Sequence, residues 1–153
     1  MDPRRAWLLN LDADDELELE PRVPYVPSKK VQALVRRHAE KLARSLLGPG
    51  DIWVDALDVP AVDGTDTAWP MVGRAFCPTP SALARLRKLG IVPEPSPPLA
   101  VLRQVNSRAF ASGLGQTLPG ATFVTDLEQA RDVLTTRPKV SRCWRVKRAF
   151  GMA

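Results

Sequence analysis

Proline lacks a backbone donor and cannot sit inside a helix beyond its first turn, and this chain of 153 residues carries fifteen of them. They cut the sequence into short pieces and decide where each element must stop. Residues 6–11 form an apolar run that ends in acidic residues, as a buried strand ends at a polar loop. Pro21, Pro24 and Pro27 exclude a continuous helix, so residues 12–27 read as a long loop. Ser28 can cap a helix to about Leu47, with Val31, Leu34, Val35, His38, Leu42 and Leu46 on one face and Gly48-Pro49-Gly50 as its stop. Residues 51–57 alternate and are β-branched or aromatic, which predicts a strand.

After a loop at 58–70, a short strand is expected at 73–77. Thr79 then caps a helix with Pro80 at its first position; Leu83, Leu86 and Leu89 line it, and Gly90 closes it. Residues 91–98 form a proline-rich connection. Ser96 opens a further helix through Phe110 that ends near Gly113–Gly115, and residues 117–120 turn the chain. A strand at 121–124 leads to a helix opened by a Thr125/Glu128 capping box, and residues 143–147 alternate as a last strand. Strands alternating with helices predict an α/β fold with a mainly parallel sheet. There is no internal repeat.

The net charge of +5 is unevenly spread. Acidic residues crowd the start (Asp12, Asp14, Asp15, Glu16, Glu18, Glu20) and basic ones the end (Arg137, Lys139, Arg142, Arg145, Lys147, Arg148). A basic end suits a phosphate-bearing ligand or a solvated tail. Nucleic acid is disfavoured as a partner, because Trp144 is the sole aromatic interleaved with these cations. Two cysteines and one histidine make neither a zinc set nor a disulfide framework. Asp12, Asp14 and Asp15 lack the glycine and distal glutamate of a calcium loop. No apolar run approaches the ~20 residues needed to span a bilayer, and no signal-peptide core opens the chain, so the expected location is the cytoplasm. There is no Walker loop, Gly-x-Gly-x-x-Gly, nucleophile elbow or paired His/Cys set, and no catalytic residue is assigned. Trp7, Trp53 and Trp144 are expected in the core, and His38 partly buried. Cys77 has no activating histidine nearby in sequence.

The C-terminal third reads as one unit. A helix carrying Asn106-Ser107-Arg108-Ala109-Phe110 leads to Leu114-Gly115-Gln116-Thr117-Leu118-Pro119-Gly120-Ala121. The turn Thr122-Phe123-Val124-Thr125-Asp126-Leu127-Glu128 follows, and then Trp144-Arg145-Val146-Lys147-Arg148 before Gly151. This order resembles the entry to the ATP-grasp superfamily. The resemblance implies a Rossmann-like pre-ATP-grasp α/β domain over residues 1–120, and the opening strand-helix-strand of an ATP-grasp subdomain over 121–153. It makes Lys147 the nucleotide-binding lysine, with Gly151 opening the phosphate loop. Arg145 shares a strand face with Lys147, because side chains repeat every second residue, and would extend the positive field. Arg148 stands where the family commonly has proline. The implied activity is ATP-dependent joining of a carboxylate to an amine or thiol through an acyl phosphate, with ATP and Mg2+ as cofactors of the complete enzyme. Residues 121–153 would be a truncated start of that subdomain, without metal ligands. The chain alone is therefore expected to be inactive and to bind no cofactor stably. Its partner would be the missing C-terminal part or another chain. The alternative is a non-catalytic α/β interaction module whose last strand pairs with a partner.

Overall fold

The computed structural model describes residues 4–20, 23–54, 71–115, 119–136, 138 and 140–150. In chain order the elements are β1 (Arg5–Leu8), α1 (Ala13–Glu18), α2 (Lys29–Leu46), β2 (Ile52–Trp53), β3 (Val72–Ala75), α3 (Pro80–Lys88), β4 (Val92–Pro93), α4 (Leu99–Asn106), α5 (Arg108–Gly113) and α6 (Leu127–Thr135). The strands form one four-stranded sheet in the order β2-β1-β3-β4, and every pairing is parallel. The expected α/β fold with a parallel sheet is the one observed.

Parallel neighbours need crossover connections, which put helices on the sheet faces. β1 alternates accordingly, with Ala6 and Leu8 buried and Arg5 and Trp7 half-buried. On one face Leu8 packs with Ala82 and Leu86 of α3, bordered by Ala75 and Ile91. On the other, Leu9 packs with Ala39 and Ala43 of α2, bordered by Trp7, Leu11, Leu47 and Trp53. A third cluster joins Ala13 and Leu17 of α1 to Cys77 and Leu102, with Leu99 and Phe150 against it. Gly73 lets α3 lie this close to β3, because a Cβ there would come within 2.8 Å of Ile91 Cγ2 and 3.0 Å of Leu86 Cδ1.

Local signals set several element ends. The Ser28 hydroxyl caps α2 by accepting from the Val31 N–H. Thr79 precedes Pro80 at the start of α3, and Gly90 closes it at a φ of +72°, a conformation that costs glycine little.

Other expectations are corrected. Residues 12–27 contain α1, whose first turn holds Asp14, Asp15 and Glu16, charges that complement a helix N-terminus. The inner face of α2 is built on Ala39 and Ala43, and His38 is exposed; small side chains let a helix approach a sheet where leucines would hold it off. The proline-rich connection contains β4. The helix expected through Phe110 begins after Pro98 and breaks at Ser107, whose ψ of 147° is extended. The capping box of α6 is shifted by one residue: Asp126 accepts from the Gln129 N–H, and Gln129 Oε1 accepts from the Thr125 N–H.

The expected strands at 121–124 and 143–147 do not form. A strand exists only where a neighbour completes its ladder, and alternation alone supplies none. Trp144 is half-buried and donates its indole N–H to Thr136 O at 2.8 Å. Of the strand expected at 51–57, Ile52–Trp53 form β2, while residues 55–57 and Trp69 lie outside the described residues. No helix among the described residues is long and apolar enough to cross a membrane.

Asp51 joins the start of β1 to the turn between α2 and β2. Its carboxylate accepts from the Arg5 N–H at 3.2 Å, the Trp7 indole at 3.0 Å and the Gly48 N–H at 3.1 Å. Burial pushes this carboxyl up, but the three donors and the Arg5 charge outweigh it and hold it below the ordinary aspartate value. A depressed folded value stabilises above the unfolded value and is lost as pH falls through the folded one. Urea melts from neutral to acid pH should therefore show stability falling below about pH 4. Asp51→Asn should be less stable at neutral pH and should flatten that acid slope.

Candidate functional site

In an open parallel sheet, the carboxyl ends of two neighbouring strands diverge where their connections leave in opposite directions, and ligands bind in that crevice. Here the point lies between β1, whose connection leads to β2 on one side, and β3, whose connection leads to β4 on the other. Asn10 occupies it. Its amide donates to Cys77 O at 2.7 Å and to Thr79 Oγ1 at 3.3 Å, and its Oδ1 accepts from the Cys77 N–H at 3.1 Å. Asn10 and Thr79 are both buried.

That arrangement changes how α3 begins. The Thr79 hydroxyl makes no cap bond to its own helix. Instead, Glu16 reaches across from α1 and accepts from the Ser81 N–H at 2.9 Å and the Ser81 hydroxyl at 2.5 Å. A carboxylate at this position answers both the open N–H groups and the positive end of the helix. Tyr25 donates its hydroxyl to Asp12 Oδ2 at 2.8 Å. Burial, that bond and the Asp12 charge raise the phenol above its usual range. The Cys77 thiol is pushed up to about 11, first by burial and then by the charges of Asp14 and Glu16, so it stays a neutral thiol at physiological pH.

Clefts flank this end of the sheet on both sides. A shallow one of about 50 Å3 lies beneath α2, where Asn10, Asp12, Gln32, Arg36 and Arg85 meet Trp53. A roomier one of about 290 Å3 lies between α1, the 23–25 segment, the start of α3 and α4, and its polar lining includes Glu16, Glu20, Tyr25, Ser81 and Arg103. A further hollow beside β3 and β4 includes Arg74 and Glu94. Those two form a bidentate pair at 2.7 and 2.9 Å, and the Arg74 guanidinium lies 5.1 Å from the centre of the Trp7 ring.

Of the residues singled out from sequence, Arg145 and Lys147 are exposed and lie on irregular backbone. Gly151 lies outside the described residues. The segment leading away from Lys147 is tied down. Arg148 reaches Glu18 at 2.8 Å and Asp15 at 3.9 Å, its carbonyl accepts from Arg108 Nε at 2.7 Å, and Ala149 O accepts from the Arg108 N–H at 3.0 Å. Phe150 packs on the cluster of Ala13, Leu17, Cys77 and Leu102. This brings the basic segment beside α1, at the carboxyl end of the sheet. Among the described residues, no group of three or more His, Cys, Asp or Glu side chains could hold a metal ion.

Sequence reasoning did not pick out Asn10, Glu16, Tyr25 or Arg103. Only Asn10 carried a usable signal, as a polar residue inside an apolar strand run.

Asn10→Ala should cost about 2–4 kcal/mol in chemical denaturation, because it strands buried backbone groups of Cys77 as well as removing bonds. With a thiol reagent at neutral pH, the exposed Cys143 should react quickly and the buried Cys77 only after denaturant is added. Comparison with protein-family models, with curated proteins and with solved structures found no match to this chain.

Proposed function

We propose that this chain is the substrate-side α/β unit of an ATP-grasp-type ligase that joins a carboxylate to an amine or thiol in the cytoplasm. ATP and Mg2+ are held mainly by a complementary part, either further sequence or a partner chain. The fold is of the right kind, since a Rossmann-like reading needs a parallel sheet with helices on both faces, and α2 and α3 lie on opposite faces here. The observation that carries the reading is the anchoring of residues 148–150. Through Arg148, Ala149 and Phe150, the segment that bears Arg145 and Lys147 is held beside α1, next to the crevice at Asn10. Two exposed cations at that place would meet phosphate oxygens presented by the complementary part. Alone, they give only a weak contact.

A second reading, a non-catalytic interaction module, is favoured by one feature of the same region. α6 has no buried residue, and Leu127, Val140 and Val146 are 70%, 65% and 75% exposed. An apolar surface of this kind suits a partner chain.

ATP titrated into the isotopically labelled chain at low ionic strength should shift amides at 145–150 and in α1, with a dissociation constant of about 1 mM or weaker. The shifts should be at least halved, roughly, in Lys147→Ala and should fade with added salt. No hydrolysis should accompany them. Binding that ignores Lys147→Ala, or no response at 145–150, would overturn the ligase reading and leave the interaction module.

A further inference from the structure

The roomier cleft has a chemistry that the ligase reading does not use. Its walls carry two opposite charges, Glu20 and Arg103. They make no ion pair with each other or with any other described residue. The other polar side chains of the lining are already engaged: Glu16 holds Ser81, and Tyr25 holds Asp12. The same lining carries apolar side chains of Leu19, Pro24, Pro80 and Leu99. A volume of about 290 Å3 sits at the small end of ligand pockets, which run from roughly 300 Å3 upward.

We propose that this cleft binds a small zwitterion of the α-amino-acid class with an aliphatic side chain. Arg103 takes the carboxylate, Glu20 takes the ammonium, and the side chain lies on Leu19, Pro24, Pro80 and Leu99. Arg103 is half-buried, and a planar guanidinium can meet a carboxylate with two parallel hydrogen bonds. Glu20 is exposed at the rim, where a carboxylate can accept from an ammonium without a large desolvation cost. Two charges too far apart to satisfy each other are served by a ligand that carries both partners. The bonds that fix the cleft are internal to it. Glu16 ties α1 to α3, and Tyr25 ties the 23–25 segment to Asp12, so the walls are set before a ligand arrives.

The inference does not depend on the ligase reading, and its test reads different residues from those that report on ATP. L-leucine, N-acetyl-L-leucine and L-leucinamide would be titrated into the labelled full chain. L-leucine should give a saturable response at Glu20, Ser81 and Arg103. Each charge-blocked analogue should bind about tenfold more weakly, a difference of about 1.4 kcal/mol. Arg103→Gln should abolish the preference for leucine over leucinamide, and Glu20→Gln the preference for leucine over N-acetyl-leucine. Both replacements leave an uncharged polar side chain, near-isosteric at position 20 and shorter at 103, and a thermal melt checks that each variant folds. Equal binding of all three compounds would show a merely apolar hollow and overturn the proposal. So would a response confined to residues outside the cleft, no response at all, or preferences that survive both substitutions.

Discussion

The arrangement of this molecule depends on one side chain meeting one stretch of backbone. Asn10 leaves the carboxyl end of β1 and forms a two-way bond with the peptide groups of Cys77 just past β3. An amide side chain pairs with a peptide much as another peptide would, so it continues the β1–β3 ladder after the strands have ended. In that buried position no water competes, and leaving either partner unpaired would carry a full desolvation cost. The third bond, to Thr79, occupies the hydroxyl that would otherwise cap α3, and the cap passes to Glu16. One asparagine therefore links the sheet to α3, and through Glu16 the same end of the fold includes α1.

Elements with local causes were legible in the sequence. Ser28 and Gly48-Pro49-Gly50 bracket α2, and Pro80 and Gly90 bracket α3, because caps, proline and positive-φ glycine act within a few residues; the cap expected from Thr79 came instead from distant Glu16. Elements with distant causes were not. α1 is six residues long, too short to persist by itself. It exists because Ala13 and Leu17 are buried and Glu16 finds Ser81, and neither contact can be read from the Asp12–Glu20 stretch. β4 is two residues long and includes a proline, which reads as a connection until β3 is placed beside it. The opposite error arose at 121–124 and 143–147, where alternation was present and no ladder partner was. In a parallel sheet every partner is remote in sequence, so the pattern is necessary and not sufficient. The candidate site was the least legible part: Glu20 and Arg103 are far apart along the chain and share a cleft only after folding.

The uneven charge of the chain has a structural use that composition could not specify. Its acidic beginning and basic end meet within the molecule, where Arg148 spans Glu18 and Asp15. Arg148 is 65% exposed in these pairs, so solvent and salt screen them, and such contacts contribute about 0–1 kcal/mol each. They select a position more than they stabilise the fold. Most of the anchoring belongs to the hydrogen bonds from Arg108 and to Phe150, which places apolar surface against Leu17 and Leu102. The positive field that suggested a phosphate ligand is thus partly answered by the chain's own carboxylates, while Arg145 and Lys147 stay turned to solvent.

Among the described residues the buried apolar groups gather in three small clusters, all of them around the sheet and α1, and none includes α6. That helix is nine residues long and buries no side chain. Asp126 caps the Gln129 N–H, and Gln129 accepts from Thr125, but caps contribute only about 0.5–2 kcal/mol, and isolated helices of this length are marginal in water. A helix becomes durable when its apolar stripe is covered, and here Leu127 and Leu134 remain exposed. Among the described residues from Phe123 to Val146, Phe123, Leu127, Leu134, Val140 and Val146 are apolar side chains that stay exposed. In the readings proposed above, a cover for this surface would supply apolar area beside a basic border. Both the rest of a ligase domain and a partner chain would do that, whereas a ligand that answered only the charges would leave Leu127 and Leu134 in water.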